Sequence, residues 1–276
     1  MTVSIIIAVK GHQKNLEDCI LKCGRLDFLD FEIIVLPDFH FEQNFNDPRV
    51  RVIPTGAVTP ARKRDIALKH AEGRILAFLD DDAYPAKDWL TFAVENFQDE
   101  NIAAVGGPAV TPAEDSLLQR ASGLVYASIL VSGNFQYRYI PMKRRQTEDY
   151  PSCNLLVRKS VLEELGGFRT DFWPGEDTKL CLDITRKLGK KIIYDPRVLV
   201  YHHRRPLFLA HLRQIASYAL HRGYFVKRYP QTSLRISYFL PSLFVAGPLA
   251  GKNQSTTPLP ENTRCHPLFH GFYIFQ

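Results

Sequence analysis

The sequence predicts an α/β protein, Rossmann-like, with a mostly parallel sheet flanked by helices and a helical, partly apolar C-terminal extension. Three observations predict it. Runs such as Ser4-Ile5-Ile6-Ile7-Ala8-Val9 and Ile75-Leu76-Ala77-Phe78-Leu79 are continuously apolar, as central parallel strands covered on both faces must be. The segments between such runs carry apolar residues at helical spacing, so strand and helix alternate as in βαβ units. The carboxyl ends of the runs carry polar and acidic residues, at the edge where open α/β sheets bind ligands.

In chain order, the run ending at Val9 gives the first strand. Leu16, Cys19, Ile20 and Cys23 then recur on one helix face, with Gly24 as a stop. Phe31-Glu32-Ile33-Ile34-Val35-Leu36 is a second strand ending at Pro37-Asp38, and a third runs near residues 50–53. Thr59-Pro60 supplies an N-cap and a first-turn proline for a helix through Ile66, Ala67 and Ala71 to Gly73. The strand at Ile75-Leu76-Ala77-Phe78-Leu79 follows and runs straight into Asp80-Asp81-Asp82.

The second half is more irregular. A helix is expected over residues 116–127, a loop over 135–145, and a strand at Cys153-Asn154-Leu155-Leu156-Val157. A helix over 160–165 is stopped by Gly166-Gly167, and Glu176-Asp177 opens another whose Leu180, Ile184 and Leu188 share a face. Strands near Ile192-Ile193-Tyr194 and Val198-Leu199-Val200-Tyr201 precede a long amphipathic helix. That helix starts at Pro206, carries Leu207, Leu212, Ile215, Tyr218 and Ala219, and is expected to stop at Gly223. Residues 236–251 carry no charge but are too short, and too interrupted by proline, for a bilayer span. With Arg222, Lys227, Arg228 and Arg235 just before them, they suit contact with an anionic cytoplasmic leaflet. Residues 252–276 read as an irregular tail.

The net charge of +6 suits a phosphorylated ligand or an anionic surface, and because the basic residues are not gathered in one tract no nucleic-acid partner is expected. The five cysteines are odd in number and lack zinc spacing, which predicts reduced thiols in a cytosolic compartment. The amino terminus lacks signal-peptide anatomy, so a cytoplasmic catalytic part at the inner face of the cell membrane is expected.

Three adjacent aspartates repel one another unless something positive lies among them, and a divalent cation is the obvious remedy. Mg²⁺ or Mn²⁺ takes hard oxygen ligands, one or two carboxylates together with a substrate's phosphates. A solvated loop is the plain alternative. Glu176-Asp177 stands at a helix start, where acidic residues are favoured in any protein. As a functional pair, one of them would serve as a base toward an acceptor hydroxyl. Arg64 and Asp65 lie on the helix before the aspartate strand, where a guanidinium would pair with a diphosphate or with a site carboxylate. His202 and His203 follow the last strand, and either is a candidate metal ligand.

Together these pieces resemble glycosyltransferase family 2, inverting enzymes of GT-A fold. The matching stretches are Ser4-Ile5-Ile6-Ile7-Ala8-Val9, Glu32-Ile33-Ile34-Val35 with Asp38, and Lys63-Arg64-Asp65-Ile66-Ala67. Gly73-Arg74-Ile75-Leu76-Ala77-Phe78-Leu79-Asp80-Asp81-Asp82 follows, then Gly166-Gly167-Phe168 and Glu176-Asp177. The resemblance implies a GT-A domain over residues 1–205, with a nucleotide-sugar half at 1–100 and an acceptor half at 101–205, before the extension at 206–251. It implies that Val9 and Asp38 contact the donor base and ribose and that Arg64 sits near base and diphosphate, with Asp65 and Asp81 in the same donor site. Asp80 would bind ribose or the metal's water shell and Asp82 the cation itself, with His202 as a further ligand and His203 as its close rival. Asp177 would be the general base, Glu176 its support, and Trp173 an aromatic wall of the acceptor site. The implied donor is a nucleotide diphosphate sugar, the cofactor Mg²⁺ or Mn²⁺, and the acceptor a glycan or lipid-linked glycan in cell-envelope polysaccharide synthesis.

Three departures accompany the resemblance, the first being Asp65, which stands where asparagine is common. Ala8-Val9-Lys10-Gly11 stands where the family usually has Pro-Val-Tyr-Asn, and no QxxRW motif follows the helix at Pro206, which argues against processive synthesis. The alternative activity is a nucleotidyltransferase making nucleotide sugars, but Lys10-Gly11-His12 is a thin match to the glycine-rich basic loop it needs. A non-enzymatic adaptor would use the positive charge but leave the aspartates unexplained.

Overall fold

The computed structural model describes residues 1–41, 45–170, 173–235 and 238 of the chain. The apolar segment at 236–251, apart from Tyr238, and the tail at 252–276 with Cys265 lie outside the described residues.

The first half alternates as its hydrophobic pattern requires: β1 (Val3–Ala8), α1 (Lys14–Cys23), β2 (Phe31–Leu36), β3 (Val50–Val52), α2 (Pro60–His70) and β4 (Ile75–Leu79). Strands β2 and β4 are buried along their whole length, and α1 turns Leu16, Cys19, Ile20 and Cys23 inward. Thr59 caps α2 by accepting the Arg62 N–H at 3.4 Å, with Pro60 at the first helical position, where a missing N–H costs nothing.

The second half contains β5 (Ala83–Pro85), α3 (Trp89–Asn96), β6 (Ile102–Gly106), β7 (Ala109–Val110), α4 (Leu117–Ala127), α5 (Ile129–Ser132), β8 (Arg145–Thr147) and β9 (Asn154–Arg158). Then come α6 (Lys159–Leu165), α7 (Glu176–Leu182), β10 (Lys191–Tyr194), β11 (Val200–His202), α8 (Leu209–Arg228) and α9 (Pro230–Ser233). The main sheet has eight strands in the order β3-β2-β1-β4-β9-β6-β10-β8, and β5-β11-β7 form a second, three-stranded sheet. Strands β3, β2, β1 and β4 are mutually parallel, as are β6 and β10, but β9 runs antiparallel between β4 and β6, and β8 runs antiparallel to β10. The sheet is therefore mixed, six of its eight strands running one way and β9 and β8 the other. Periodicity marks β9 as a buried strand but carries no information on its direction.

Helices cover both faces of the main sheet. One core packs Leu16, Ile20, Trp89 and Phe97 against it, and the other packs Ala67, Leu162, Phe168 and Leu180. Each such large side chain taken out of water contributes about 1.5–3 kcal/mol. Cys19, Cys23, Cys153 and Cys181 are free and buried, small apolar fillers of these cores. Among the described residues no helix is long and apolar enough to cross a membrane.

Two expectations need correction. The stretch at 135–145 is not simply a loop: Gly133–Arg138 forms a 3-10 helix that buries Tyr137 and Arg138, and Arg145 begins β8. The long helix passes through Gly223 and ends at Arg228, since a mid-helix glycine costs only about 1 kcal/mol and twenty residues absorb it. Its large apolar residues Leu212 and Leu220 are exposed.

Asn154, fully buried, locks the second half together. Its amide donates to the carbonyls of Gly107 at 2.7 Å and Val198 at 2.8 Å, and its side-chain oxygen accepts the Trp89 indole N–H at 2.9 Å. The close approach of Gly107 to the segment before β11 leaves no room for a side chain: a Cβ there would fall 1.6 Å from the Val198 carbonyl oxygen. Gly107→Ala is expected to lower unfolding free energy by about 3 kcal/mol in urea titration, because backbone must move to relieve the overlap. Gly11→Ala, where nothing lies within 4 Å, should stay within about 0.5 kcal/mol of the parent.

Candidate active site

The carboxyl edge of β1, β2 and β4 collects Val9, Asp38 and Asp80 in one place, because the three strands are parallel and in register. Helix α2 reaches this edge with two consecutive cations. Lys63 is buried and donates to the Val9 carbonyl at 2.5 Å, the Leu36 carbonyl at 3.1 Å and Asp38 Oδ1 at 2.5 Å, stitching the ends of β1 and β2 together. Arg64, 5% exposed, donates to Glu176 Oε1 at 2.7 Å and lies 3.7 Å from Asp80 Oδ1, with its guanidinium over the packed Phe78 and Phe168 rings. One arginine thus bridges the aspartate strand to the start of α7. Asp65 turns elsewhere: its Oδ1 accepts the Phe168 N–H at 2.7 Å and fixes the turn after α6, so it is not gathered with Asp80 and Asp82.

The small sheet brings histidine to the aspartates. Antiparallel pairing of β5 with β11 sets His202 opposite Ala83, directly after Asp82, and the His203 N–H donates to the Asp82 carbonyl at 2.9 Å. His202 Nε2 lies 3.0 Å from Asp82 Oδ1, and Arg204 donates to His202 Nδ1 at 2.9 Å. That donation makes Nδ1 the acceptor and leaves Nε2–H to donate to Asp82. Arg205 stands 3.5 Å from Asp82 Oδ2. The side chain of His203 faces away, 2.5 Å from Asp115, so of the two candidates it is His202 that joins the aspartates.

Ligand atoms of Asp80, Asp82 and His202 all lie within 4.8 Å of one another. Two carboxylates and an imidazole suit a hard or borderline divalent ion, and the charge pattern asks for one. Burial and the neighbouring Asp82 raise the pKa of Asp80, while burial, Asp82 and Asp80 push Asp81 up to about 7. Burial also works against Asp82, but His202 and Arg205 outweigh it and hold that carboxyl at about 2. Asp81 Oδ2 is buried without a hydrogen-bond partner, and Asp81 does not belong to the three-residue cluster. The residues present therefore fit a divalent cation.

The second carboxylate pair opens α7. Gly175 precedes it with φ +124°, a conformation side chains avoid, and a Cβ there would strike the Phe225 ring at 2.8 Å. Glu176 is buried between Arg64 and the Gly175 N–H, 3.0 Å from its Oε2. Asp177 accepts the Ser152 N–H at 3.0 Å and the Thr178 N–H at 2.7 Å while keeping part of its surface open. Burial, then Glu176, then Asp149 raise the Asp177 pKa to about 7. Trp173 is exposed beside this turn.

Sequence reasoning missed several partners here. Asp149 is buried, accepts from Thr178 Oγ1 at 3.1 Å, and meets Arg138 at 3.3 Å and Arg222 at 3.5 Å. Burial opposes its ionisation, but the two arginines hold its pKa below the usual carboxylate range. No local pattern marks Asp149; only the antiparallel return of β9 brings it to Asp177. Lys63 was legible in principle, since a lysine among Ala61, Arg64 and Ala67 on the buried face of a helix needs acceptors inside.

Comparison with known proteins identifies the family and the fold. Residues 4–166 match the sequence profile described as Glycosyl transferase family 2. The pre-mycofactocin glycosyltransferase of Mycobacterium tuberculosis is 30% identical over 148 residues, a stretch covering 53% of this chain and 30% of that protein. A Methanococcus voltae enzyme, dolichyl N-acetyl-alpha-D-glucosaminyl phosphate 3-beta-D-2,3-diacetamido-2,3-dideoxy-beta-D-glucuronosyltransferase, is 20% identical over 250 residues, 82% of this chain and 74% of that one. The mannosyltransferase PcManGT of Pyrobaculum calidifontis, solved with GDP-Man and Mn²⁺, superposes with a TM-score of 0.65 at 20% identity, covering 93% of this chain and 76% of that chain. The shared architecture is the GT-A fold. On the profile match across more than half of its length, the chain belongs to glycosyl transferase family 2.

Proposed function

We propose that this protein transfers a sugar from a nucleotide diphosphate sugar to an acceptor hydroxyl with inversion, using Asp177 as the general base and a divalent cation, Mg²⁺ or Mn²⁺, held by Asp80, Asp82 and His202. The observation that carries the reading is the coupling of two carboxylate sets through one buried guanidinium. Arg64 ties Asp80, in the cation cluster, to Glu176, the neighbour of Asp177. A base and a cation site so joined would serve a single displacement, in which the hydroxyl attacks from the face opposite the departing diphosphate.

When bound, the cation would offset charge building on the leaving diphosphate, a Lewis-acid contribution of several kcal/mol. The chain's own residues do the rest. Asp177 takes the acceptor proton, and the Ser152 and Thr178 N–H groups orient its carboxylate. Glu176 raises the basicity of Asp177 and anchors Arg64. The edge at Val9 and Asp38, fixed by Lys63, is the place for the base and ribose of the donor. Asp65 serves as a positioning residue through Phe168. Support for donor and metal comes from PcManGT, solved with GDP-Man and Mn²⁺, and the dolichyl-linked substrate in the name of the Methanococcus relative supports a lipid-linked acceptor.

Four outcomes test this reading. Asp177→Asn should cut sugar transfer by about 10²–10⁴-fold while donor binding persists; near-parental turnover would remove Asp177 from the role of base. Because the Asp177 pKa is raised to about 7, the group is protonated and unable to accept a proton below that pH, so kcat/KM should fall on the acid side of about 7. Glu176→Gln removes a cause of that rise, and the acid limb should move to lower pH. In thermal-shift measurements with UDP- and GDP-sugars, stabilisation should require Mn²⁺ or Mg²⁺ and vanish in Asp82→Asn; equal stabilisation with chelator present would refute the cation site.

A further inference from the structure

Helix α8 is built inside out. Apart from Phe225, its inward face is polar: His211 Nδ1 meets Ser122 Oγ at 2.6 Å, Gln214 accepts from the Tyr126 hydroxyl at 3.2 Å, and Arg222 reaches Asp149. Its outward face carries Leu209, Leu212 and Leu220, between 60% and 75% exposed. Helix α4 lies beside it, joined at its start by the Leu207 N–H to the Leu118 carbonyl at 3.0 Å, and shows the same inversion. There the small residues Ser122 and Gly123 are buried, while Leu117 is 76% and Leu124 73% exposed, and Ile129 on α5 continues the exposure. More than half of the exposed large apolar residues among the described ones fall on these three helices and the turn leading into α8. A water-facing surface does not use its leucines so.

Charge says what the surface meets. From Asp115 to Glu148, and again from Asp195 to Glu261, the sequence holds not one acidic residue between the named ends. Those stretches contain all of α4, α5 and α8, in a chain with 29 acidic residues elsewhere. The exposed charges on the two long helices are all basic: Arg120, Arg213, Lys227 and Arg228. Apolar residues projecting among cations, with acidic residues excluded, match the boundary between anionic headgroups and acyl chains.

We propose that α4, α5 and α8 form a docking surface that seats this protein on an anionic lipid bilayer. Leucines enter the acyl boundary and the basic side chains lie among the headgroups. The inner side of α8 then overlooks the active site, since Phe225 packs on Gly175 beside Glu176 and Arg222 pairs with Asp149 next to Asp177. A hydroxyl carried on a lipid reaches Asp177 without leaving the bilayer surface; this last step rests on the sugar-transfer reading, whereas the docking does not.

The test is co-sedimentation of the full chain with vesicles, without donor or acceptor. The parent should pellet with phosphatidylcholine vesicles containing phosphatidylglycerol, much less with phosphatidylcholine alone, and less as salt is raised. Leu212→Glu/Leu220→Glu and Leu117→Glu/Leu124→Glu should each weaken binding by about tenfold or more, and so should the charge reversal Arg213→Glu/Lys227→Glu. Leu29→Glu, an exposed leucine on the α1–β2 connection, should bind as the parent does. Melting curves identify any variant that has unfolded, and the charge-reversal pair, made at exposed positions, then decides. A parent that stays in the supernatant with both vesicle types overturns the proposal, as do folded variants that bind normally. Light scattering that shows a dimer lost in Leu212→Glu/Leu220→Glu would assign the face to a second copy and overturn it equally.

Discussion

The contact on which the site depends is a guanidinium held between carboxylates. Asp80, Asp82, Glu176, Asp177 and Asp149 converge on one edge of the sheet, and such a crowd is unfavourable unless cations stand within it. Arg64 supplies one from beneath, paired with Glu176 and facing Asp80, while Arg138 and Arg222 supply others at Asp149. Arg64 and Glu176 are both withdrawn from water, so their pairing cannot be relaxed by solvent. Removing one member of a buried pair of this kind costs roughly 3–5 kcal/mol, mostly for the charge left behind.

Much of this was legible because the first half obeys a simple rule: strands covered on both faces are apolar throughout and end at polar residues. The strands at Ile5 and Ile75, the capped helix at Thr59-Pro60 and the aspartate run after Leu79 all follow it. The second half obeys weaker rules. The direction of β9 depends on which edge is free when it docks, and neither Asn154 nor Asp149 can announce from local sequence that it will meet Trp89 or Arg138. His202 could not be told from His203 either, since the choice is made by the pairing of β11 with β5.

Helix α8 shows a different limit. Its periodicity is helical, and surface helices ordinarily turn their apolar stripe to the core. The pattern itself says only that two faces differ. Here the polar face meets protein, because Ser122, Tyr126 and Asp149 offer hydrogen-bonding groups near the site, and the leucines are left outside. Absence of acidic residues along the same stretch was visible in the sequence, and it distinguishes this helix from an ordinary amphipathic one.

Three neighbours on α2 tether three distant parts of the molecule. Lys63 holds the ends of β1 and β2, Arg64 joins Asp80 to Glu176, and Asp65 fixes the turn at Phe168. Adjacent positions on a helix point about 100° apart, so the three fan around more than half of its circumference. Inserting or deleting one residue between Thr59 and Lys63 would hand each tether to the wrong neighbour at once. What descent must preserve in this helix is accordingly its length from the cap, while outward-facing positions such as Arg62 and Lys69 are free to drift.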